Sequence, residues 1–238
     1  MAIEAVLFDL DGTLLPMDQD VFVRAYMKAL ANRLAPYGYE PELLIKAIWG
    51  GTGAMINNDS GKTNEKVFWE FFCSVFGEKS LDDIPYFDEF YKTDFQSLKG
   101  VCGYDAMAAQ TVKRLRDTGV KVALATNPIF PAIATESRMK WAGLSPEDFD
   151  EYTTYENICC SKPNAEYYRQ VADRLGVLPE NCLMVGNDVD DDMVAQKLGM
   201  KVFLLTDNLI NKSESDISVY HNGNFEELNR YLDKVLAD

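Results

Sequence analysis

Asp9-Leu10-Asp11-Gly12-Thr13-Leu14 follows directly on the apolar run Ile3-Glu4-Ala5-Val6-Leu7-Phe8. The run predicts a short buried strand, and Gly12 ends it. Side chains alternate along a strand, so Asp9 and Asp11, two residues apart at its mouth, lie on the same side. Two carboxylates that close do not remain two bare charges: one takes a proton, or a divalent cation compensates both. Either outcome is chemically useful. One carboxylate can be a nucleophile and the other a proton donor, with a hard, oxygen-preferring ion such as Mg²⁺ between them. The plain alternative is an acidic turn closing an ordinary strand, and a bare Asp-x-Asp does not separate the two.

Working outward, strand-like runs recur at Val120 to Thr126, Tyr152 to Tyr155 (weaker), Cys182 to Gly186 and Lys201 to Thr206. Amphipathic segments lie among them at Asp105 to Asp117, Pro131 to Ala142, Asn164 to Leu175 and Asp191 to Leu198, and Phe225 to Leu236 predicts a closing helix. Strand and helix in alternation predict a parallel sheet wrapped on both faces, with the site beyond the carboxyl ends of the strands. From about Val21 to Phe95 the alternation stops. Phe22, Tyr26, Ala29, Leu30 and Leu34 follow helical spacing, as do Val67, Phe71, Phe72 and Val75. The glycines from Gly50 to Gly53, with the polar stretch Asn57 to Gly61, predict a flexible joint. This block is too long for a crossover between neighbouring strands and predicts an inserted helical unit.

Three later segments carry chemistry. Val122 to Asn127 ends a strand in a hydroxyl residue, Thr126, and the helix expected near Pro131 would offer free backbone N–H groups to a phosphate. Ser161-Lys162-Pro163 fixes a lysine beside a proline at a helix start, where its charge can neutralise an anionic nucleophile and a phosphate. Met184-Val185-Gly186-Asn187-Asp188-Val189-Asp190-Asp191-Asp192 runs an apolar strand into an acidic cluster, which is costly without a cation. Taken singly, Thr126 reads equally as a turn or helix cap and Lys162 as a surface lysine.

In this order, at the ends of successive strands, the four segments resemble the motifs of the haloacid dehalogenase-like (HAD) hydrolase superfamily. The resemblance implies an α/β fold: a Rossmann-like doubly wound parallel core over residues 1–16 and 97–238, with a helical cap over residues 17–96. It implies a Mg²⁺-dependent phosphohydrolase acting on a small phosphorylated metabolite. Asp9 would be the nucleophile, forming an aspartyl-phosphate, and Asp11 the general acid and base. Thr126, Asn127 and Lys162 would bind the phosphoryl group. The Mg²⁺ ligands would be Asp9, the Asp11 backbone carbonyl, and Asn187 or Asp188. The chain departs from the family pattern at Asn187, where an aspartate is usual. Asp191 or Asp192 is the second acidic residue; counting back from Gly199 favours Asp191.

Related chemistries share the fold. Dehalogenation needs neither a metal nor an acid at position 11. Phosphonate cleavage needs a cap lysine as Schiff base, for which Lys46 and Lys62 are the candidates. Phosphomutases share the core motifs, and a non-catalytic binding protein is the alternative from another class, with Asn187 the one feature in its favour.

Composition narrows the remaining possibilities. A formal charge of −15 argues against binding nucleic acid or an anionic membrane through a basic face. It also repels phosphate esters, so a metal and a local lysine must reverse the field at the site. Nothing approaches the roughly 20 apolar residues of a membrane span, no secretory signal is expected, and no sequence feature points to a protein partner. Five scattered cysteines without a Cys-x-x-Cys pair, and the single His221, give no zinc pattern. Reduced thiols and a cytoplasmic location are the expectation. Gly50 to Gly53 lacks the Gly-Lys-Ser/Thr ending of a nucleotide loop. The aromatic patch Phe68 to Phe72 predicts cap core, and His221 a bystander in a polar loop.

Overall fold

The computed structural model describes residues 2–237. Its centre is a six-stranded, wholly parallel sheet in the order β3-β2-β1-β4-β5-β6. The strands are β1 (Ala5–Phe8), β2 (Lys121–Leu124), β3 (Glu151–Tyr152), β4 (Cys182–Gly186), β5 (Lys201–Leu205) and β6 (His221–Gly223). Four helices precede β2's own helix: α1 (Gln19–Leu34), α2 (Pro41–Ile56), α3 (Asn64–Phe76) and α4 (Ile84–Lys92). Then come α5 (Ala106–Asp117), α6 (Ala132–Trp141), α7 (Ala165–Leu175) and α8 (Phe225–Val235).

The period-two alternation of β1 divides the core. Val6 and Phe8 join the apolar cluster that includes α5 and α8, while Ala5 and Leu7 join the one built on α7. Both faces of the sheet are therefore covered, as a buried parallel sheet requires. This is the doubly wound α/β architecture expected from the alternation of strands and helices. Among the described residues no helix is long and apolar enough to cross a membrane.

Helix starts follow local chemistry. Asp18, Thr63, Asp105 and Asn164 each cap the amides of the helix that follows, and Asn224 and Glu227 close a capping box on α8.

Three local expectations are corrected. The Gly50–Gly53 stretch is not a joint: α2 runs through it. A Cβ on Gly50 would stand 2.3 Å from the Phe71 ring, and one on Gly51 2.6 Å from the Phe68 ring. These glycines let α2 and α3 approach closely, which offsets their poor helix propensity. His221 is not in a loop but opens the short edge strand β6, with Tyr231 against its ring. The segment after the acidic cluster is 3₁₀-helical over Met193–Leu198 and not an α-helix.

Candidate active site

The register brings the carboxyl ends of three strands level: Phe8 pairs with Leu124 on one side and Val185 on the other. Asp9 comes next on the central strand, its amide donating to the Val185 carbonyl at 2.9 Å. Thr126 and Asn187 each follow two residues past those partners, so three chain ends converge on one edge of the sheet. A cleft of about 680 Å³ opens there. Asp9, Asp11, Thr126, Asn127, Lys162, Asn187, Asp188, Asp191 and Asp192 all line it. Every candidate residue of the four segments meets in one place.

Lys162 is the positive centre of this cleft. It is 2% exposed, and its Nζ donates to Asp9 Oδ1 at 2.8 Å and to Asp192 Oδ1 at 2.6 Å. Burial alone would depress its pKa, but Asp192 and Asp9 outweigh burial and hold the ammonium well above its ordinary range. Burial drives the Asp192 carboxyl up, against the pull of Lys162. Asp192, not Asp191, meets the lysine. Gly186 makes room for it, since a Cβ there would lie 2.1 Å from Asp192 Oδ2. The carbonyl of Thr126 accepts from the hydroxyls of Thr153, at 2.6 Å, and Tyr167, at 2.8 Å, which fixes the end of β2.

Asp11 has a partner that sequence reasoning missed. Arg138, on α6 and fully buried, donates from Nη1 to Asp11 Oδ2. The guanidinium also stacks 4.4 Å from the centroid of Phe130. Asp11 Oδ1 is buried with no hydrogen-bond partner. Burial raises the Asp11 carboxyl, with Arg138 pulling the other way. Nothing at the sequence level marks Arg138, because an arginine on a helix is usually solvated.

Asn64 was also missed. Fully buried at the start of α3, it donates from Nδ2 to the Pro128 carbonyl at 3.0 Å and to Ser161 Oγ at 2.9 Å. One side chain from the helical insert thus holds the neighbours of Asn127 and Lys162. The expected free amides at the start of α6 are not all available, because the Ala132 N–H donates to the Glu156 carboxylate at 2.9 Å.

Asn187 sits as a brace. Its Nδ2 donates to the Asn208 carbonyl at 2.7 Å, and its Oδ1 accepts from Thr13 at 2.9 Å. Gly12, at φ +86°, lies against it, and a Cβ there would stand 2.4 Å from Asn187 Nδ2. An aspartate at 187 would turn a carboxylate oxygen toward a carbonyl that can only accept. Asn187→Asp should therefore cost about 1–3 kcal/mol, the penalty of an unsatisfied buried polar group. Equilibrium denaturation without metal checks this, and an unchanged stability would mean the brace is unimportant. Asp188 has the freer carboxylate. It is half-buried, and its Oδ1 accepts the amides of Asp190 and Asp191 at 2.8 and 3.0 Å.

The arrangement can hold a cation. Five aspartates line the cleft, offset by Lys162 and by Arg138 behind Asp11, and Asp11 Oδ1 and Asn127 Oδ1 are buried without partners. The donors are all oxygen, which suits a hard ion. Among the described residues no three His, Cys, Asp or Glu side chains cluster as a ready-made metal site. A cation would rest on two carboxylates supplemented by a backbone carbonyl and water.

Comparison with known proteins agrees with this geometry. The family profile of the haloacid dehalogenase-like hydrolases matches residues 3–206. The chain is a HAD-like hydrolase. Pyrophosphatase PpaX of Bacillus cereus (strain AH820) is 27% identical over 203 residues, covering 84% of this chain and 82% of that protein. In fold, the HAD protein resembles a HAD phosphatase from Thermococcus onnurineus, with a TM-score of 0.60 at 20% identity over 97% of this chain and 98% of the other. It also resembles a HAD family hydrolase from Deinococcus radiodurans R1 with bound phosphate and sodium, with a TM-score of 0.56 at 18% identity over 98% and 96% of the two chains.

Proposed function

We propose that this hydrolase is a Mg²⁺-dependent phosphatase that cleaves a small phosphate monoester through an aspartyl-phosphate on Asp9. The observation that carries the reading is the Lys162–Asp9 contact of 2.8 Å at the carboxyl end of the central strand. It orients a buried carboxylate within a cleft that admits substrate. Asp9 attacks phosphorus. Asp11 protonates the leaving oxygen, then takes a proton from the water that hydrolyses the intermediate. Thr126, Asn127 and Lys162 hold the phosphoryl oxygens.

Asp9, the Asp11 carbonyl and Asp188 would hold the Mg²⁺, which when bound supplies positive charge toward the phosphoryl group. Asp188 is preferred to Asn187 as ligand because the amide of Asn187 is used at both ends by Thr13 and Asn208. Asp192 acts as the second acidic residue through Lys162. We read residues 17–96 as the cap over a core of residues 1–16 and 97–238, with α1 to α4 as its body. Five free cysteines fit a reducing, cytoplasmic setting.

Phosphonate cleavage lacks support, since neither Lys46 nor Lys62 lines the cleft and Lys62 is paired with Glu70 at the surface. PpaX is a pyrophosphatase by name, but a second phosphate here would find Lys162 as the only lysine or arginine in the cleft wall among the described residues. Release of inorganic phosphate from a generic aryl phosphate, with and without Mg²⁺, tests the reading. Metal-dependent release supports it, and no release from any phosphate ester overturns it.

Arg138 is assigned a positioning role. By occupying Asp11 Oδ2 it leaves Oδ1 as the oxygen that carries the proton. Lysine keeps the charge but not the planar fork. Arg138→Lys should lose about tenfold in kcat, part of the roughly 10²- to 10⁴-fold that acid–base catalysis supplies. The loss should be larger for alkyl than for aryl phosphates, whose leaving groups need less protonation. An equal loss for both would leave Arg138 with a purely structural role.

A further inference from the structure

Beside the catalytic cleft lies a second one, and the two share Val23, Ile129 and Phe130 in their walls. The helical insert supplies most of it, from α1, α2, α3 and α4, and the segment after Asn127 and Tyr155 beyond β3 supply the rest. Eight of its fifteen lining residues are aromatic, and its only charged one is Asp88. Among the described residues no lysine, arginine or histidine lines it. The Nε1–H of Trp69 in its wall is buried, with the hydroxyl of Tyr155 beside it. The phenol oxygens of Tyr26 and Tyr91 satisfy each other at 2.9 Å.

From this we propose that the second cleft takes the leaving group of the substrate, and that this group is an uncharged, largely aromatic alcohol. The inference rests on the phosphatase reading and names its substrate class. The two clefts adjoin, so a monoester with its phosphoryl group at Asp9 reaches across Val23 and Phe130 into the aromatic walls. Such walls bind planar apolar groups through burial and ring stacking. The Trp69 N–H and the Tyr155 hydroxyl, neighbours in the wall, offer a polar contact that suits a neutral oxygen or nitrogen acceptor. A second phosphate or a carboxylate would meet Asp88 and no cation, within a protein of formal charge −15. That composition disfavours pyrophosphate and carboxylated phosphate esters.

The test compares 3-phenylpropyl phosphate with ethyl phosphate and inorganic pyrophosphate on the intact protein with Mg²⁺. The two esters share a primary alkoxide leaving group, so a difference between them reports apolar burial and not leaving-group strength. The expected kcat/KM is about ten- to a hundredfold higher for the phenylpropyl ester, the gain from burying one aromatic side group. Pyrophosphate should be the poorest of the three. Asp88 is exposed, so Asp88→Lys should fold normally. It should raise the ratio of kcat/KM for pyrophosphate to that for ethyl phosphate several-fold at low salt. A readout independent of turnover is available, because Trp49 and Trp69 both line the cleft. Titration with 3-phenylpropanol should shift tryptophan emission saturably. Equal kcat/KM for the two esters, pyrophosphate as the best substrate, or no shift with the alcohol would overturn the inference while phosphatase activity persists. If the alcohol binds but no phosphate ester is cleaved, the phosphatase reading fails instead.

Discussion

Asp9→Asn is expected to bring phosphate release down to background while the protein remains folded. Asparagine keeps the shape of the side chain and an oxygen that can accept from Lys162 Nζ, now 2.8 Å from Asp9 Oδ1. What it lacks is the charge and nucleophilicity of the carboxylate. Loss of the covalent route removes both steps of the reaction, so no choice of leaving group should rescue the variant. The fold should change little, because the Asp9 side chain forms the edge of the cleft and β1 itself is held by Ala5 to Phe8. A change in stability within about 1 kcal/mol is the expectation, because Lys162 keeps Asp192 as its charged partner and the acidic cluster loses one charge. Steady-state assays together with thermal melts check both parts. Near-native turnover would remove Asp9 from the chemistry.

The second large effect is at Lys162. Its ammonium faces two carboxylates, and the side chains of Lys162 and Asp192 are each 1% exposed. Methionine has nearly the same length and no charge, so Lys162→Met strands Asp192 and Asp9 together. Removing one partner of a buried ion pair costs about 3–5 kcal/mol. Turnover should fall with stability, because the local field no longer attracts a phosphate. The two losses can be separated. Adding Asp192→Asn to Lys162→Met removes the stranded charge and should return much of the stability, while activity stays lost. Denaturant titration and the phosphate assay on both variants read this out. Full stability in the single variant would contradict the buried pair.

Much of this was legible in the residues. The period-two run before Asp9 and the spacing of Asp9 and Asp11 fix the strand, its mouth and the side on which the carboxylates gather. Thr126, Lys162 and the Asn187 to Asp192 cluster are recognisable because each ends an apolar run or sits against a proline. Other features were not legible, for physical reasons. Arg138 is buried on a helix whose buried set also includes Ala134, Thr135, Met139 and Trp141. No pattern of polar and apolar residues distinguishes such an arginine from a surface one. Asn64 acts across more than 60 residues of chain, through contacts that only the packing of the insert creates. Gly50 and Gly51 carry the same letters as a hinge, yet they serve close helix packing against Phe71 and Phe68. A count of residues does not tell whether Asp191 or Asp192 reaches Lys162; the fold brings Asp192 to it. β6 is three residues long and mostly exposed, so it lacks the apolar alternation that marks a strand.

The account stands on covalent catalysis at Asp9, and one measurement addresses that directly. In Asp11→Asn an aryl phosphate should still transfer its phosphoryl group, since the leaving group needs little protonation. Hydrolysis of the intermediate should slow, because water loses its base. Acid quenching of that variant during turnover, followed by borohydride reduction and peptide mass spectrometry, converts an acyl phosphate at an aspartate to homoserine. The expected result is homoserine at position 9. Release of the aryl alcohol with no homoserine at position 9, or with homoserine at another aspartate, would contradict the account.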